Sequence, residues 1–182
     1  MILGAVLAGG ESRRFGSDKA AALLDGRALI DHALAALGPH CDALVVVGRD
    51  WPGVRGVPDR PAPGLGPLGG LNAALHHGAD IGAEAVLTLG CDTPAVPHAL
   101  LAMLAMLAAR GDAAFVDGLP IIGIWPVRHA ALLDHFVATD PRRSMRGWAT
   151  ACDAVALDAP SLANINTPGD LDSVLRDRPP PC

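Results

Sequence analysis

Short apolar runs alternate along this chain with longer stretches whose apolar residues recur at helical spacing. Residues 1–8 carry Ile2, Leu3, Val6 and Leu7 and no charged side chain. A strand buried on both faces of a parallel sheet reads this way, because neither face needs a polar residue. Residues 28–37 then place Leu29, Ile30, Ala33, Leu34 and Leu37 on one helical stripe that stops at Gly38-Pro39. The same alternation predicts strands at 43–47, 54–57 and 85–89, and helices at 67–79 and 98–109, the latter all but buried. Strands at 113–116 and 121–125 are joined through the turn pair Asp117-Gly118. Helices at 129–138 and 144–151, a strand at 154–157 and a helix at 168–176 complete the pattern.

Such alternation predicts an α/β fold: a single three-layer, Rossmann-like domain with a mainly parallel central sheet. It would span residues 1–178, with 179–182 as a short C-terminal tail. A chain of 182 residues suits one domain with a substantial core. In these sheets ligands bind outside the carboxyl ends of the strands. The glycine loop after the first strand, the Asp59 region and the Cys91-Asp92 turn should therefore meet on one edge.

Composition narrows the chemistry. Half the residues are hydrophobic but only 3% are aromatic, so the core must be built from Ala, Leu and Val. No apolar stretch has the length of a membrane span, and no basic region precedes Ile2 as in a secretory signal. Cys41, Cys91, Cys152 and Cys182 are too widely spaced for a zinc ribbon and read as free thiols of a cytoplasmic protein. The histidines lack metal-ligand spacing, and the adjacent His76 and His77 point to different sides of a helix.

The densest chemistry lies in Leu7-Ala8-Gly9-Gly10-Glu11-Ser12-Arg13-Arg14-Phe15-Gly16-Ser17-Asp18-Lys19. Lys19 is the chain's only lysine; every other basic residue is arginine. An ammonium is a compact point charge, not interchangeable with a planar guanidinium beside a wrapped phosphate. Gly9 and Gly10 lack the Cβ that would keep backbone from a ligand, and successive N–H groups in such a turn form an anion nest. Three cations within seven residues, on a protein of net charge −5, point to one bound anion rather than a nucleic-acid surface. A Walker A loop is excluded because Lys19 lies between Asp18 and Ala20, and the glycine spacing is not that of a dinucleotide turn.

Asp92, in Gly90-Cys91-Asp92-Thr93-Pro94, follows a buried strand and has two readings. It can hold Mg²⁺ against phosphate oxygens, or cap a following helix. Gly64-Leu65-Gly66-Pro67-Leu68-Gly69-Gly70 is a helix start open to a base or ribose, or a plain flexible connection. Thr167, Pro168 and Asp170 make a helix start, while Asn164 and Asn166 lie two apart on extended chain and point the same way. Arg142-Arg143-Ser144-Met145-Arg146 is a phosphate-binding candidate or a solvated basic turn.

The loop Leu-Ala-Gly-Gly-x-Ser-x-Arg-x-Gly-x-Asp-Lys resembles that of nucleotidyltransferases, and most closely the molybdenum cofactor guanylyltransferase family. Cys91-Asp92-Thr93-Pro94, Gly66-Pro67-Leu68-Gly69-Gly70 and Asn164-Ile165-Asn166-Thr167-Pro168 are similar to that family's other motifs. The resemblance implies transfer of GMP from GTP to the phosphate of Mo-molybdopterin, with Lys19, Arg14 and Asp92 as the catalytic residues. It implies a nucleotide site from Leu7, Ala8, Gly9, Gly10, Lys19, Asp59, Gly66, Gly69 and Asp92, with Mg²⁺ on Asp92. The acceptor would meet Arg143, Arg146, Asn164 and Asn166, and molybdoenzymes or their chaperones would receive the product. A CTP-dependent cytidylyltransferase and a non-catalytic molybdenum-cofactor carrier are the alternatives. The sequence departs from the family at Phe15, where methionine is usual, at Gly48-Arg49-Asp50, where a nucleotide-contacting asparagine is usual, and at Leu119-Pro120, which lacks a histidine.

Overall fold

A computed structural model describes residues 1–9, 15, 18–160 and 162–176. The strands are β1 (Ile2–Leu7), the two-residue β2 (Leu23–Leu24) and β3 (Arg27–Ala28), β4 (Ala43–Val47), β5 (Arg55–Val57), β6 (Ala85–Gly90), β7 (Ala114–Val116), β8 (Leu119–Pro126) and β9 (Val155–Leu157). The α-helices are α1 (Leu29–Leu37), α2 (Pro67–Asp80), α3 (His98–Arg110), α4 (Ala130–Thr139), α5 (Met145–Ala151) and α6 (Pro168–Arg176). Each predicted strand and helix is present, with bounds shifted by a residue or two.

Seven strands form one sheet in the order β5-β4-β1-β6-β8-β7-β9. β1 pairs in parallel with β4 and β6, which explains why its sequence is apolar on both faces. β8 runs antiparallel to both of its neighbours, so the sheet is mixed but mainly parallel. Alternate residues of β1 serve the two faces. Leu3, Ala5 and Leu7 pack with α2, α4 and α5, and Val6 packs with α1 and α3. These are the three expected layers.

Aliphatic side chains dominate both cores, but one is centred on two tryptophans. Trp125 and Trp148 are fully buried, with ring centroids 6.4 Å apart. Trp125 Nε1 donates to Thr88 Oγ1 at 2.9 Å, and that hydroxyl in turn donates to Ile121 O at 2.7 Å. This chain of bonds satisfies the buried polar atoms where β6 leads to the site.

α3 is a correction. Leu100, Leu101 and Leu104 are buried, but Met103 and Met106 are exposed, Met106 at 73%. α3 forms an outer layer, and one apolar stripe of it covers the sheet. Alanine and methionine on the other side raise its hydrophobicity without being needed in the core.

Candidate active site

The carboxyl ends of β1, β4 and β6 lie side by side, and the segments that leave them surround one cleft of about 700 Å³. That volume accommodates a nucleotide. Leu7, Ala8 and Gly9 form its floor, and Lys19, Arg49, Asp59 and Asp92 are its charged lining side chains among the described residues. Sites 73 residues apart in sequence thus share one rim.

Lys19 enters on a single 3-10 turn, Lys19–Ala21, in which the Asp18 side chain accepts from Ala20 N. Its Nζ lies 3.4 Å from Asp92 Oδ2 and donates to Asn166 Oδ1 at 3.1 Å. The lysine side chain is only 13% exposed and that of Asp92 24%. Asp92 reaches this position by folding back over the end of β6. A Cβ on Gly90 would lie 2.5 Å from Asp92 Oδ1, so only glycine permits the approach. The capping alternative for Asp92 does not hold, because α3 begins at His98 and its N-cap position is Pro97.

Asn166 is delivered from the far end of the chain. Ile165 N donates to Asp92 O at 2.8 Å, and the Ile165 side chain is buried with Phe15, Leu24 and Leu29. Asp170 Oδ2 then accepts from the N–H groups of both Asn166 and Thr167 at 2.8 Å, and Thr167 Oγ1 accepts from Asp170 N. Those backbone bonds hold the Asp170 carboxyl below the usual carboxylate range. The expected helix start is therefore also the device that fixes Asn166.

On the opposite wall, burial pushes the Asp59 carboxyl above its ordinary value. It sits over three glycines: a Cβ on Gly9, Gly48 or Gly70 would lie 3.0, 3.2 or 3.6 Å from one of its oxygens. Gly9 serves this packing as well as any ligand, since a Cβ on Gly48 would run into the Gly9 backbone. Gly66, with φ of 63°, is the N-cap of α2 ahead of Pro67, and both line the cleft with Gly64. The glycine-rich segment is thus a built helix start rather than a plain connection.

Other predicted residues lie elsewhere. Gly69 does not line the cleft, although Gly70 does; the Gly69 carbonyl accepts from Arg60 N at 3.1 Å. Arg143, Arg146 and Asn164 are not among the lining residues. Arg146 pairs with Asp117 at 3.0 Å, and Arg143 Nε donates to Val137 O at 3.2 Å while its φ is 46°. Arg143 thus reaches back to α4, and Arg146 reaches from the first turn of α5 to the β7–β8 turn. Asn164 Oδ1 is buried and finds no partner among the described residues. Gly10 and Arg14 lie outside the described residues.

Arg49 was missed as a site residue. Its Nη1 and Nη2 donate to Asp18 Oδ1 and Oδ2 at 2.7 and 2.5 Å, and its guanidinium lies 5.9 Å from the Trp51 ring centroid. A cation just past the carboxyl end of a central strand was the one local hint, and it does not reveal the partner, Asp18. Cys91 lines the cleft too, but burial pushes its thiol up to about 11, so it is no nucleophile at neutral pH. Among the described residues no group of three potential ligands forms a metal cluster, and no helix is long and apolar enough to cross a membrane.

The sequence and fold have known relatives. A family model described as MobA-like NTP transferase domain matches residues 4–155. The chain is 38% identical over 178 residues to a molybdenum cofactor guanylyltransferase of Rhodobacter capsulatus, covering 93% of each chain. It is 35% identical to that of Sinorhizobium fredii, covering 92% of this chain and 87% of the other. The fold superposes with a TM-score of 0.78 on molybdopterin-guanine dinucleotide biosynthesis protein A from Archaeoglobus fulgidus, at 23% identity and 97% coverage of both chains.

Proposed function

This chain belongs to the MobA-like NTP transferase family, and from that membership we propose that it is a molybdenum cofactor guanylyltransferase. It transfers GMP from GTP to the phosphate of Mo-molybdopterin. A bond forms between an acceptor phosphate oxygen and the α-phosphorus, the α–β bridging bond breaks, and pyrophosphate leaves. Relatives bearing the guanylyltransferase name across most of their length support guanosine over cytidine and activity over a silent carrier.

The observation that carries the mechanism is the meeting of Lys19, Asp92 and Asn166 at one rim. The attacking phosphate is already anionic, so the site needs positioning and charge compensation more than a base. Lys19 donates its ammonium hydrogens to the triphosphate oxygens and offsets charge that gathers on the leaving pyrophosphate. Asp59 and the Gly64–Gly66 turn take the nucleoside side of the ligand, across the Gly9 floor.

Magnesium fits the donor set. Asp92 offers one partly exposed carboxylate, with the Asn166 amide oxygen on the same ammonium. An ion that keeps several waters and takes further oxygens from phosphate needs no more protein than this. Bound there by Asp92, it supplies charge neutralisation on the triphosphate. The unpaired thiols of Cys41, Cys91 and Cys152 accord with work in the cytoplasm, where the product passes to molybdoenzymes or their chaperones.

A coupled pyrophosphate assay with molybdopterin, Mg²⁺ and either GTP or CTP tests the proposal. Release with GTP alone is expected. Release with CTP alone makes the chain a cytidylyltransferase, and pterin binding with no release makes it a carrier.

A further inference from the structure

Among the charged side chains that line the cleft, Arg49 is the one to which the proposed chemistry gives no task. It leaves the carboxyl end of β4 and is braced from behind. Its guanidinium lies over Trp51, and Trp51 Nε1 donates to Asp31 Oδ1 at 2.7 Å in the first turn of α1. In front it meets both oxygens of Asp18 in a two-bond fork. That fork holds the Asp18 carboxyl below its ordinary range, with the Arg49 bond as the largest cause.

Asp18 precedes Lys19 and caps the turn that carries it, accepting from Ala20 N at 3.2 Å. An unengaged carboxylate at that position would compete with Asp92 and Asn166 for the only ammonium in the site. Arg49 occupies both of its oxygens and ties the turn to the sheet edge. We propose that Arg49 is a positioning residue that keeps Lys19 aimed into the cleft by engaging both oxygens of Asp18. A lysine at position 49 restores the charge but not the planar fork. Since Asp18 takes two of the five guanidinium N–H groups, direct contact with the ligand is the competing role. The consequence for catalysis rests on the nucleotide reading of Lys19; the placement of Lys19 does not.

Because Lys19 is the only lysine, acetic anhydride reports on its placement without any ligand, the Met1 amine being separated by peptide mapping. The rate of Lys19 acetylation is measured in the wild type, Arg49→Ala, Arg49→Lys, Asp18→Asn and the Asp18→Asn/Arg49→Ala double variant. Asparagine keeps the capping oxygen. Arg49→Ala is expected to speed acetylation about tenfold, the scale of one charge-assisted pair, with Arg49→Lys between it and the wild type. On the Asp18→Asn background Arg49→Ala should add nothing. Turnover with GTP should follow the same pattern, kcat/KM falling on loss of Arg49 only where Asp18 is present. An unchanged acetylation rate in Arg49→Ala, or an equal effect with and without Asp18, overturns the proposal. Thermal melting of each variant checks folding, and Arg49→Lys decides the question if Arg49→Ala does not fold. An enzyme inactive with GTP would refute the nucleotide reading and leave the acetylation cycle to judge this one.

Discussion

Lys19 and Asp92 stand 3.4 Å apart across a cleft although 73 residues separate them in the chain. Each offsets the other's charge. On the proposed function, a triphosphate with its counter-ion would offer each a better partner, oxygen for the ammonium and a cation for the carboxylate, and the pair would be exchanged.

Lys19→Ala is therefore expected to lower turnover by at least ~100-fold, the usual scale for one lost charge stabiliser. Lys19→Arg should not restore it, since the wider guanidinium does not fit where a lysine side chain is only 13% exposed. Steady-state GMP transfer measures both.

Asp59 carries a pH prediction. Burial raises its folded pKa above the unfolded value, so its contribution to stability is full below the unfolded pKa and is lost as pH rises through the folded one. At neutral pH the ionised carboxylate costs stability. Asp59→Asn should melt higher than the wild type at pH 7, with the difference closing as pH falls toward ~4, and it should bind GTP more weakly. A lower melting temperature at pH 7 would contradict the burial argument.

Gly48→Ala tests the floor. Gly48 has φ of 87°, and a Cβ there meets the Gly9 backbone. The substitution should destabilise by ~1–3 kcal/mol from the backbone conformation alone, with more from the clash. Urea unfolding reads the cost, and a raised KM for GTP reads the shifted floor.

Phe15 anchors the described part of the glycine loop. It is 7% exposed and packs with Leu24, Leu29 and Ile165, the residue that precedes Asn166. Phe15→Ala should cost about 3 kcal/mol through the cavity it leaves and weaken GTP binding. Phe15→Met, which keeps most of the volume, should cost less than ~1.5 kcal/mol.

The sequence made the layers legible because each strand and helix is long enough to show its own period. The β2–β3 hairpin escaped, since two-residue strands have no period. Its turn was nonetheless written in Asp25-Gly26, whose φ values of 53° and 74° suit a tight hairpin. The antiparallel pairing of β8 with β7 was written in the turn Asp117-Gly118, but the placing of β8 beside β6 was hidden, because apolar content does not record which strands become neighbours. In the site, Lys19, Asp59 and Asp92 could be found from local motifs. Arg49 could not, since its meaning comes from Asp18, 31 residues away. Arg143 and Arg146 do not line the cleft, and their bonds to Val137 and Asp117 could not be read from the clustered charge alone.

The most direct test is a crystal structure of the protein soaked with GTP and Mg²⁺. The triphosphate should lie in the cleft within hydrogen-bond reach of Lys19 Nζ, with the metal on Asp92 and the Lys19–Asp92 pair broken. A nucleotide bound elsewhere, or one that leaves that pair intact, would contradict the shared grip of these two residues on one ligand.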